Sequence, residues 1–364
     1  MKLAILGGGQ LGRMLGLAAV PLGVTCRFLD PSDTAGAAAV GELHVGALDD
    51  RDAIARLVAD CDAITYEWEG VPSGALAPFV DRHFVAPPLR ALAASQDRVA
   101  EKTLANELGL GTAPWRAVGS LTELRRALDE LGTPTILKTR SGGYDGKGQA
   151  RIESDTDANA AWTALEPVGP LIVEGFVDFR RELSVIGCRG RDGEIVAWPV
   201  TQNRHERGIL RESRAPVDAL TQARADVIVR RLLQELDYVG VLCIELFDTG
   251  AELLVNEFAP RVHNSGHWTI EGAVTSQFEN HVRAVLGLPL GITDLTSGPT
   301  AMLNCVGRLP DLQVALQIPG AHLHDYGKSP RLGRKVGHLT VVAPDEDTLE
   351  ERLVAARAVI RDDG

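Results

Sequence analysis

No Cys-x-x-Cys pair occurs in this sequence, and its five cysteines (Cys26, Cys61, Cys188, Cys243 and Cys305) stand singly, mostly inside apolar runs. That excludes a disulfide framework and a cysteine-built zinc site, and it fits buried free thiols in a reducing compartment. No apolar run approaches the roughly 20 residues that a membrane-crossing helix needs. The apolar run at the start gives way to glycine at Gly7, too short for a signal-peptide core, so a cytoplasmic location is expected. A basic excess is also lacking: 37 Lys and Arg stand against 49 Asp and Glu, a net charge of −12. A nucleic-acid partner would need a basic surface and is not expected. Any anionic ligand must be held by local clusters of Lys and Arg against the field of the whole chain. Internal repeats and low-complexity tracts are absent too.

What is present is a soluble globular composition, 45% apolar and 24% charged, in 364 residues, enough for two or three domains. Residues 2–6 read as a buried strand that runs straight into Gly7-Gly8-Gly9-Gln10-Leu11-Gly12. Helical spacing follows over 13–20, then a second strand over 24–29 ending at Asp30. Gly7, Gly9 and Gly12 fit GxGxxG, and Asp30 sits about where a ribose-binding acid belongs in a dinucleotide fold. A nicotinamide enzyme is therefore one reading. A glycine turn at a helix start serves other anions equally well, and nothing downstream looks like a hydride-transfer site. A third strand, 63–66, ends in Glu67-Trp68-Glu69. Open α/β sheets bind ligands at that carboxyl edge, although a solvated strand end would look the same.

Pro87-Pro88 breaks the chain before a helical stretch, 96–108, with Gln96-Asp97-Arg98 at its start. A strand over 115–118 and a helix over 121–131 lead to Thr135-Ile136-Leu137-Lys138, and then to a loop with glycine at 142, 143, 146 and 148. Without a Cβ, consecutive backbone N–H groups can converge on one anion. Lys138 and Lys147 bracket the loop with positive charge. That pattern suits a polyphosphate; a flexible hairpin tip also uses glycine, but it needs no lysine at the end of an apolar strand.

Further on, helix near 157–165 and strand over 171–174 precede an alternating segment, 181–186, which puts Glu182, Ser184 and Ile186 on one face. Strand continues over 194–200, and the Arg-rich stretch 202–214, with His205, reads as a loop. A helix over 218–235 leads to strands 239–247 and 252–258, which carry Glu245 and Glu257. With Asp248-Thr249-Gly250 as a three-residue loop and Gly250 left-handed, Glu245 faces Leu253 and Glu257 faces Val241. Both glutamates then point to the same face. Two carboxylates on one face of an apolar hairpin repel, and a divalent cation is the simplest reason for them; near a triphosphate that cation is Mg2+. His263 and His267 are four apart, but Ser265-Gly266 between them argues against a helix and no acid or cysteine completes a zinc set. Arg261, directly after Pro260, is a candidate anion ligand. Residues 270–286 read as one helix, 287–298 as a linker, and 301–306, 338–342 and 346–360 as strand, strand and helix. Lys328, Arg331, Arg334 and Lys335 crowd one glycine- and proline-containing loop of an acidic chain, which suggests a substrate phosphate site.

Four motifs in order then resemble one family: Gly8-Gly9-Gln10-Leu11-Gly12-Arg13-Met14, Gly143 to Gln149, Pro260 to His267, and Gly333-Arg334-Lys335-Val336-Gly337-His338. They are similar to those of the 5-(carboxyamino)imidazole ribonucleotide synthases, within the ATP-grasp superfamily, and they span nearly the whole chain. The resemblance implies an α/β protein, α+β in its central part. It implies a Rossmann-like domain over 1–95, a two-lobed ATP-grasp domain over 96–290 with its lid lobe at about 112–177, and a small C-terminal domain over 291–364. It implies carboxylation of the amine of 5-aminoimidazole ribonucleotide by bicarbonate and ATP, through carboxyphosphate, by a homodimer.

The same resemblance implies roles. Arg98 and Lys138 would neutralise ATP phosphates under the lid loop Gly143, Tyr144, Asp145, Gly146, Lys147, Gly148 and Gln149. The strand edge Glu174, Gly175, Phe176 and Val177 would meet adenine, with Glu182 on the ribose and His205 and Asn256 as further nucleotide contacts. Glu245 and Glu257 would hold Mg2+, and Arg261 would act with Lys138 and Glu257 in catalysis, stabilising carboxyphosphate. The ribonucleotide would be gripped by Gln10, Tyr144, Asp145, His263, Asn264, Ser265, Lys328 and Lys335, with Glu67 or Glu69 at its base or amine. The spacing from Tyr326-Gly327-Lys328 to the Arg-Lys pair departs from the family's, so Arg331 and Arg334 both stand as its phosphate ligand. Other ATP-grasp ligases, such as formate-using glycinamide ribonucleotide transformylases and biotin carboxylases, share the ATP machinery but not the 263–267 motif or the basic loop. A regulatory nucleotide-binding protein without turnover would have no need of the Glu245, Glu257 and Arg261 set.

Overall fold

A computed structural model describes residues 1–142 and 147–360. Among these residues the strands form three sheets. The first is parallel, in the order β3-β2-β1-β4, from β1 (Lys2–Leu6), β2 (Thr25–Asp30), β3 (Glu42–Val45) and β4 (Ala63–Tyr66). Leu3, Ile5 and Phe28 on one face and Ala4, Leu6 and Leu29 on the other have no exposed surface, as expected of strands covered on both faces. The helix Gln10–Ala19 starts directly after the glycine turn.

The second sheet is antiparallel, in the order β5-β8-β6-β7, from β5 (Trp115–Val118), β6 (Thr135–Thr139), β7 (Gln149–Ile152) and β8 (Leu171–Gly175). The helices Leu121–Leu131 and Asp155–Leu165 pack on one face of it through Leu124, Leu128, Ala158 and Leu165. Both start at a serine, Ser120 and Ser154, whose side chain accepts from the amide three residues on. Lys138 lies near the end of β6, and β6 and β7 are the two arms of the glycine loop.

The third sheet is the largest and antiparallel throughout: β14 (Leu253–Ala259), β13 (Gly240–Asp248), β9 (Arg181–Arg189), β11 (Thr201–Glu206), β12 (Ile209–Ala215), β15 (Thr300–Val306), β17 (Lys335–Val342) and β16 (Ala321–Asp325), with β10 (Ile195–Ala197) on β9. The C-terminal strands thus extend the central sheet through the β12–β15 pairing. One face packs Leu183, Val185, Leu242 and Ile244 on Val229 and Leu233 of the helix Ala219–Glu235. The other face is apolar at Ile186, Cys188, Val241 and Cys243 and turns polar at Glu182, Ser184 and Glu245, the last two being paired across β9 and β13.

Three sequence readings change. Residues 202–214 form the hairpin β11–β12, closed by Arg207 and Gly208 with φ of 51° and 78°. Their inward side chains, Thr201, Asn203 and Ser213, are polar, so the period of two is invisible to hydrophobicity. The single helix over 270–286 is two, Thr269–Gly272 and Gln277–Leu286, and the second is restarted by Ser276, whose side chain accepts from Glu279. In the β13–β14 hairpin, Asp248 pairs with Leu253 and Leu246 with Val255, then the register shifts so that Glu245 faces Glu257 and Ile244 faces Phe258. The connection is longer than the expected three-residue loop, running from Asp248 to Leu253, although Gly250 is left-handed at φ 90°. Continued without the shift, the observed register would pair Glu245 with Asn256 and turn Glu257 to the opposite face. The bulge at Asn256 sets the two carboxylates together.

Candidate active site

The helix Arg98–Glu107 begins at Asp97, whose carboxylate accepts from Val99 at 2.8 Å and Ala100 at 3.4 Å. The same carboxylate takes Arg140 in two bonds, 3.1 and 2.5 Å, and the Arg98 amide donates to the Arg140 carbonyl at 2.9 Å. The helix start is thereby pinned to the strand that carries Lys138. Helical spacing of three and four puts Arg98, Glu101 and Lys102 on one face. Each reaches across the sheets: Arg98 Nη1 to Glu257 Oε2 at 2.7 Å, Glu101 Oε1 to the Phe258 amide at 2.5 Å, and Lys102 Nζ to the Asn256 carbonyl at 3.2 Å. Sequence reasoning found only Arg98; the charges at 98, 101 and 102 behind an aspartate cap were the signal for the others.

Glu257 lies in a cleft that solvent reaches, with 39% of its side chain accessible. Burial pushes its pKa up, but the Arg98 charge and hydrogen bond outweigh that and hold it below the usual carboxylate range. Glu245, its cross-strand partner, feels the His205 and Lys335 charges, but they do not outweigh burial. Burial, and then the facing Glu257, push it up to about 7. Glu101 is pushed up to about 8 by burial first and Glu257 second. Burial and mutual repulsion thus leave this carboxylate cluster short of a counter-charge for Glu245, and the buried Asn256 Oδ1 has no hydrogen-bond partner among the described residues. Two facing carboxylates and an unused amide oxygen are hard donors of the kind a Mg2+ ion takes. Among the described residues no group of three or more His, Cys, Asp or Glu suits a metal ion, so the remaining ligands would be phosphate oxygens and water.

His263 stands beside Glu245, with Nε2 3.4 Å from Oε1. Its Nδ1 accepts from the Ser265 amide at 3.3 Å, which leaves the ring proton on Nε2, facing the carboxylate. Burial, then the Arg261 charge, pulls its pKa down to about 3, so the ring is neutral. Arg261 is bound to Glu69 at the end of β4 and donates to the Val262 carbonyl at 2.9 Å. Burial would raise Glu69, but Arg261 brings it down to about 2. Glu69 therefore joins the first sheet to the site.

Glu67 points elsewhere. Its Oε1 accepts from the Gly9 amide at 2.8 Å, and Asp30 Oδ2 accepts from Gly8 at 2.8 Å. The glycine turn's amides are already satisfied by the protein's own carboxylates, so a pyrophosphate there would have to displace two anions. That removes the ground for the nicotinamide reading. Gln10, just past the turn, accepts from Lys328 Nζ of the basic loop. Burial, then the Arg334 charge, draws Lys328 down to about 8, against the opposing pull of Glu67. Lys335 is felt as a positive charge by Lys328, Glu245, His205 and His263. It therefore joins the basic loop to the glutamate pair. Arg331 is exposed, while Arg334 is half-buried with Nη1 3.4 Å from the Ser329 carbonyl.

On the lid side, Lys138 Nζ meets Glu174 Oε2 at 2.9 Å. Burial would raise Glu174, but Lys138 and then Lys102 bring it down. The amides of Gly175 and Phe176 donate to the Pro114 and Pro134 carbonyls at 2.8 and 3.1 Å. Neither is open to a base, so only their carbonyls and Val177 stay available. Phe176 lies under Arg151, 4.5 Å from guanidinium to ring centre. Glu182 Oε2 is 2.7 Å from His205 Nδ1; burial opposes the charged ring, but Glu182 prevails and raises its pKa. Asn264 and Asn304 exchange amide hydrogen bonds of 3.0 and 2.8 Å, and Ser265 is fully buried against His263. Both thus hold the loop in place. Lys147, Gly148 and Gln149 close the lid arm, the Gly148 carbonyl accepting from the Thr139 amide at 2.9 Å. Gly143, Tyr144, Asp145 and Gly146 lie outside the described residues.

Three family models match the chain: a ribonucleotide synthetase preATP-grasp domain over 1–96, an ATP-grasp domain over 103–278, and a phosphoribosylaminoimidazole carboxylase C-terminal domain over 300–352. The N5-carboxyaminoimidazole ribonucleotide synthase of Pseudomonas aeruginosa is 45% identical over 361 residues, 99% of each chain. That of Brucella melitensis is 46% identical over 350 residues, 94% of this chain and 96% of its own. The crystal structure of N5-carboxyaminoimidazole ribonucleotide synthetase from Thermus thermophilus superposes with a TM-score of 0.95 at 48% identity, covering 99% of both chains. An Aspergillus clavatus N5-carboxyaminoimidazole synthase, solved with ADP and 5-aminoimidazole ribonucleotide, gives 0.91 at 32% identity over 99% of this chain and 98% of its own.

Proposed function

The chain belongs to the N5-carboxyaminoimidazole ribonucleotide synthase family: it is an ATP-grasp ligase that carboxylates 5-aminoimidazole ribonucleotide in purine biosynthesis, and we propose how its residues divide the work. Lys138 and Arg98 neutralise the phosphates of ATP. Glu245 and Glu257, with the Asn256 amide oxygen, would hold Mg2+. That ion supplies charge neutralisation at the transferring phosphoryl group. Bicarbonate attacks the γ-phosphorus, releasing ADP and forming carboxyphosphate, which Arg261 stabilises. Loss of phosphate then gives CO2 to the exocyclic amine. His263, neutral and donating toward Glu245, orders that carboxylate. Lys328, Arg334 and Lys335 take the 5′-phosphate of the ribonucleotide, with Gln10 orienting Lys328. The half-buried position of Arg334 favours it over the exposed Arg331.

The observation that carries this reading is the facing pair Glu245 and Glu257, with Arg98 2.7 Å from Glu257 and His263 3.4 Å from Glu245, and the Lys335 charge acts on both Glu245 and Lys328 of the basic loop. A phosphoryl-transfer centre and a phosphate grip are thus neighbours. The family resemblance supports division at about residues 95 and 290, a homodimer and a cytoplasmic location; no helix among the described residues is long and apolar enough to cross a membrane.

The test is ADP release with each candidate substrate in turn. It should need both bicarbonate and 5-aminoimidazole ribonucleotide, and release driven instead by formate and glycinamide ribonucleotide would sink the proposal. Separate Arg331→Ala and Arg334→Ala exchanges should raise the KM for the ribonucleotide about tenfold or more only for Arg334; the reverse order would move the phosphate to Arg331.

Lys328 predicts a pH dependence. It must be charged to hold a phosphate, and its pKa is drawn down to about 8. The KM for the ribonucleotide should be flat near neutrality and rise as pH climbs through 8 and the ammonium is lost. Lys328→Arg, charged throughout, should flatten the profile. A wild-type KM that stays constant to about pH 9.5 would place Lys328 outside the site.

A further inference from the structure

Lys102 is a buried ammonium that none of these roles uses. Only 1% of its side chain is accessible, and its Nζ lies 3.4 Å from Glu174 Oε2. Lys138 Nζ lies 2.9 Å from the same oxygen but is 12% accessible. Two cations thus share one carboxylate oxygen, one sealed between the sheets and the other at the cleft. Glu174 Oε1 has no hydrogen-bond partner among the described residues, so the carboxylate's direct partners are these two ammoniums, with the Arg98 charge acting on it as well but more weakly.

A carboxylate this buried is strongly unfavourable without a counter-ion. Were Lys138 its sole partner, moving Lys138 onto a phosphate would strand it, and nucleotide binding would bear that cost. We infer that Lys102 is a positioning residue that keeps Glu174 paired, so that Lys138 can exchange the carboxylate for a nucleotide phosphate. Lys102 also donates to the carbonyl of the bulge residue Asn256 at 3.2 Å. It cannot follow Lys138 into the cleft without giving up that bond. The lid-lobe strand β8 and the bulge that sets Glu257 are tied through the same nitrogen.

The inference rests on the reading of Lys138 as a phosphate ligand, and the experiment separates the two. Binding of adenylyl imidodiphosphate with Mg2+ is measured by calorimetry on the full chain for wild type, Lys138→Met, Lys102→Met and the double variant Lys102→Met/Glu174→Gln. Lys138→Met should weaken binding; no change there would overturn the phosphate reading itself. Lys102→Met should weaken it by about tenfold or more, because Lys138 is now the sole partner of a buried charge. The double variant should recover most of that loss, since no carboxylate is left to strand and the strand edge offers adenine only backbone groups, which Glu174→Gln leaves in place. Wild-type affinity in Lys102→Met alongside weakened Lys138→Met would overturn the inference alone. Failure of the double variant to recover would do the same and leave Lys102 as packing. Lys102→Gln, which keeps a donor for the Asn256 carbonyl, serves in the same arms if the methionine variant does not fold.

Discussion

Replacing Glu257 by glutamine should lower ADP release by about two to three orders of magnitude and shift the melting midpoint by no more than about 4 °C. The two effects separate because of where the carboxylate sits. Glutamine is nearly isosteric and keeps an oxygen for Arg98, which donates to Glu257 at 2.7 Å, and the side chain is 39% accessible, so little buried packing changes. What goes is the charge. The facing pair then loses the half of it that Arg98 keeps ionised, and a divalent cation bound there would lose one of its two carboxylate ligands. An independent reading comes from the neighbours. Glu245 and Glu101 are held up at about 7 and 8 by burial and, after it, by the charge of Glu257. In the variant both should titrate at lower pH, which carboxyl-carbon NMR can follow without turnover. Near wild-type ADP release with those titrations displaced would remove Glu257 as a metal ligand while confirming that the charge had gone.

The hairpin also shows what was legible in the sequence and why. That Glu245 and Glu257 share a face was readable, but for the wrong reason. A three-residue loop predicts it, whereas the shift comes from a bulge at Asn256, and no local propensity marks where a ladder slips by one. The strands of the parallel sheet were readable because their apolar runs are buried on both faces; β4 was placed at its observed limits. The β11–β12 hairpin was not, since its inward positions carry Thr, Asn and Ser tied by side-chain hydrogen bonds such as Asn203 to Ser184 at 2.6 Å. Polarity there follows the site, not solvent. Lys102 was missed for a related reason: a lysine in a helix reads as exposed unless its partners are known, and Glu174 and Asn256 are far away in sequence. Long-range pairing of charges is the part of a site that one-dimensional patterns do not carry. The residue types at the motifs were enough for the chemistry, and the folded chain adds which cation balances which carboxylate.

Arg261→Ala should lower turnover by about two to three orders of magnitude as well, and here the fold supplies a competing explanation that must be separated. Arg261 is paired with Glu69, whose carboxylate is brought down to about 2 by that partner against the upward push of burial. Removing the guanidinium leaves a half-buried anion at the junction of the first sheet and the site. A loss of activity therefore has two origins to separate: the reacting anion lacks its cation, or the end of β4 shifts because Glu69 is unpaired. Adding Glu69→Gln to Arg261→Ala distinguishes them. The double variant has no stranded carboxylate, so a junction effect would be relieved and turnover largely restored. If Arg261 stabilises carboxyphosphate, the double variant stays as slow as Arg261→Ala, and Glu69→Gln alone keeps far more activity than either. Bicarbonate-dependent ADP release is the informative readout, because it reports formation of carboxyphosphate and not only its delivery. Turnover restored to within about threefold of wild type in the double variant, well inside the loss expected for a missing charge donor, would reduce Arg261 to a strut between two sheets. With the guanidinium donating to the Val262 carbonyl at 2.9 Å and the His263 ring next in the chain kept neutral in part by its charge, the side chain is already ordered before substrate arrives. Such preorganisation is what an anion-stabilising donor needs, and it is why Arg261→Lys, a point charge without the planar fork, should recover only a small part of the loss.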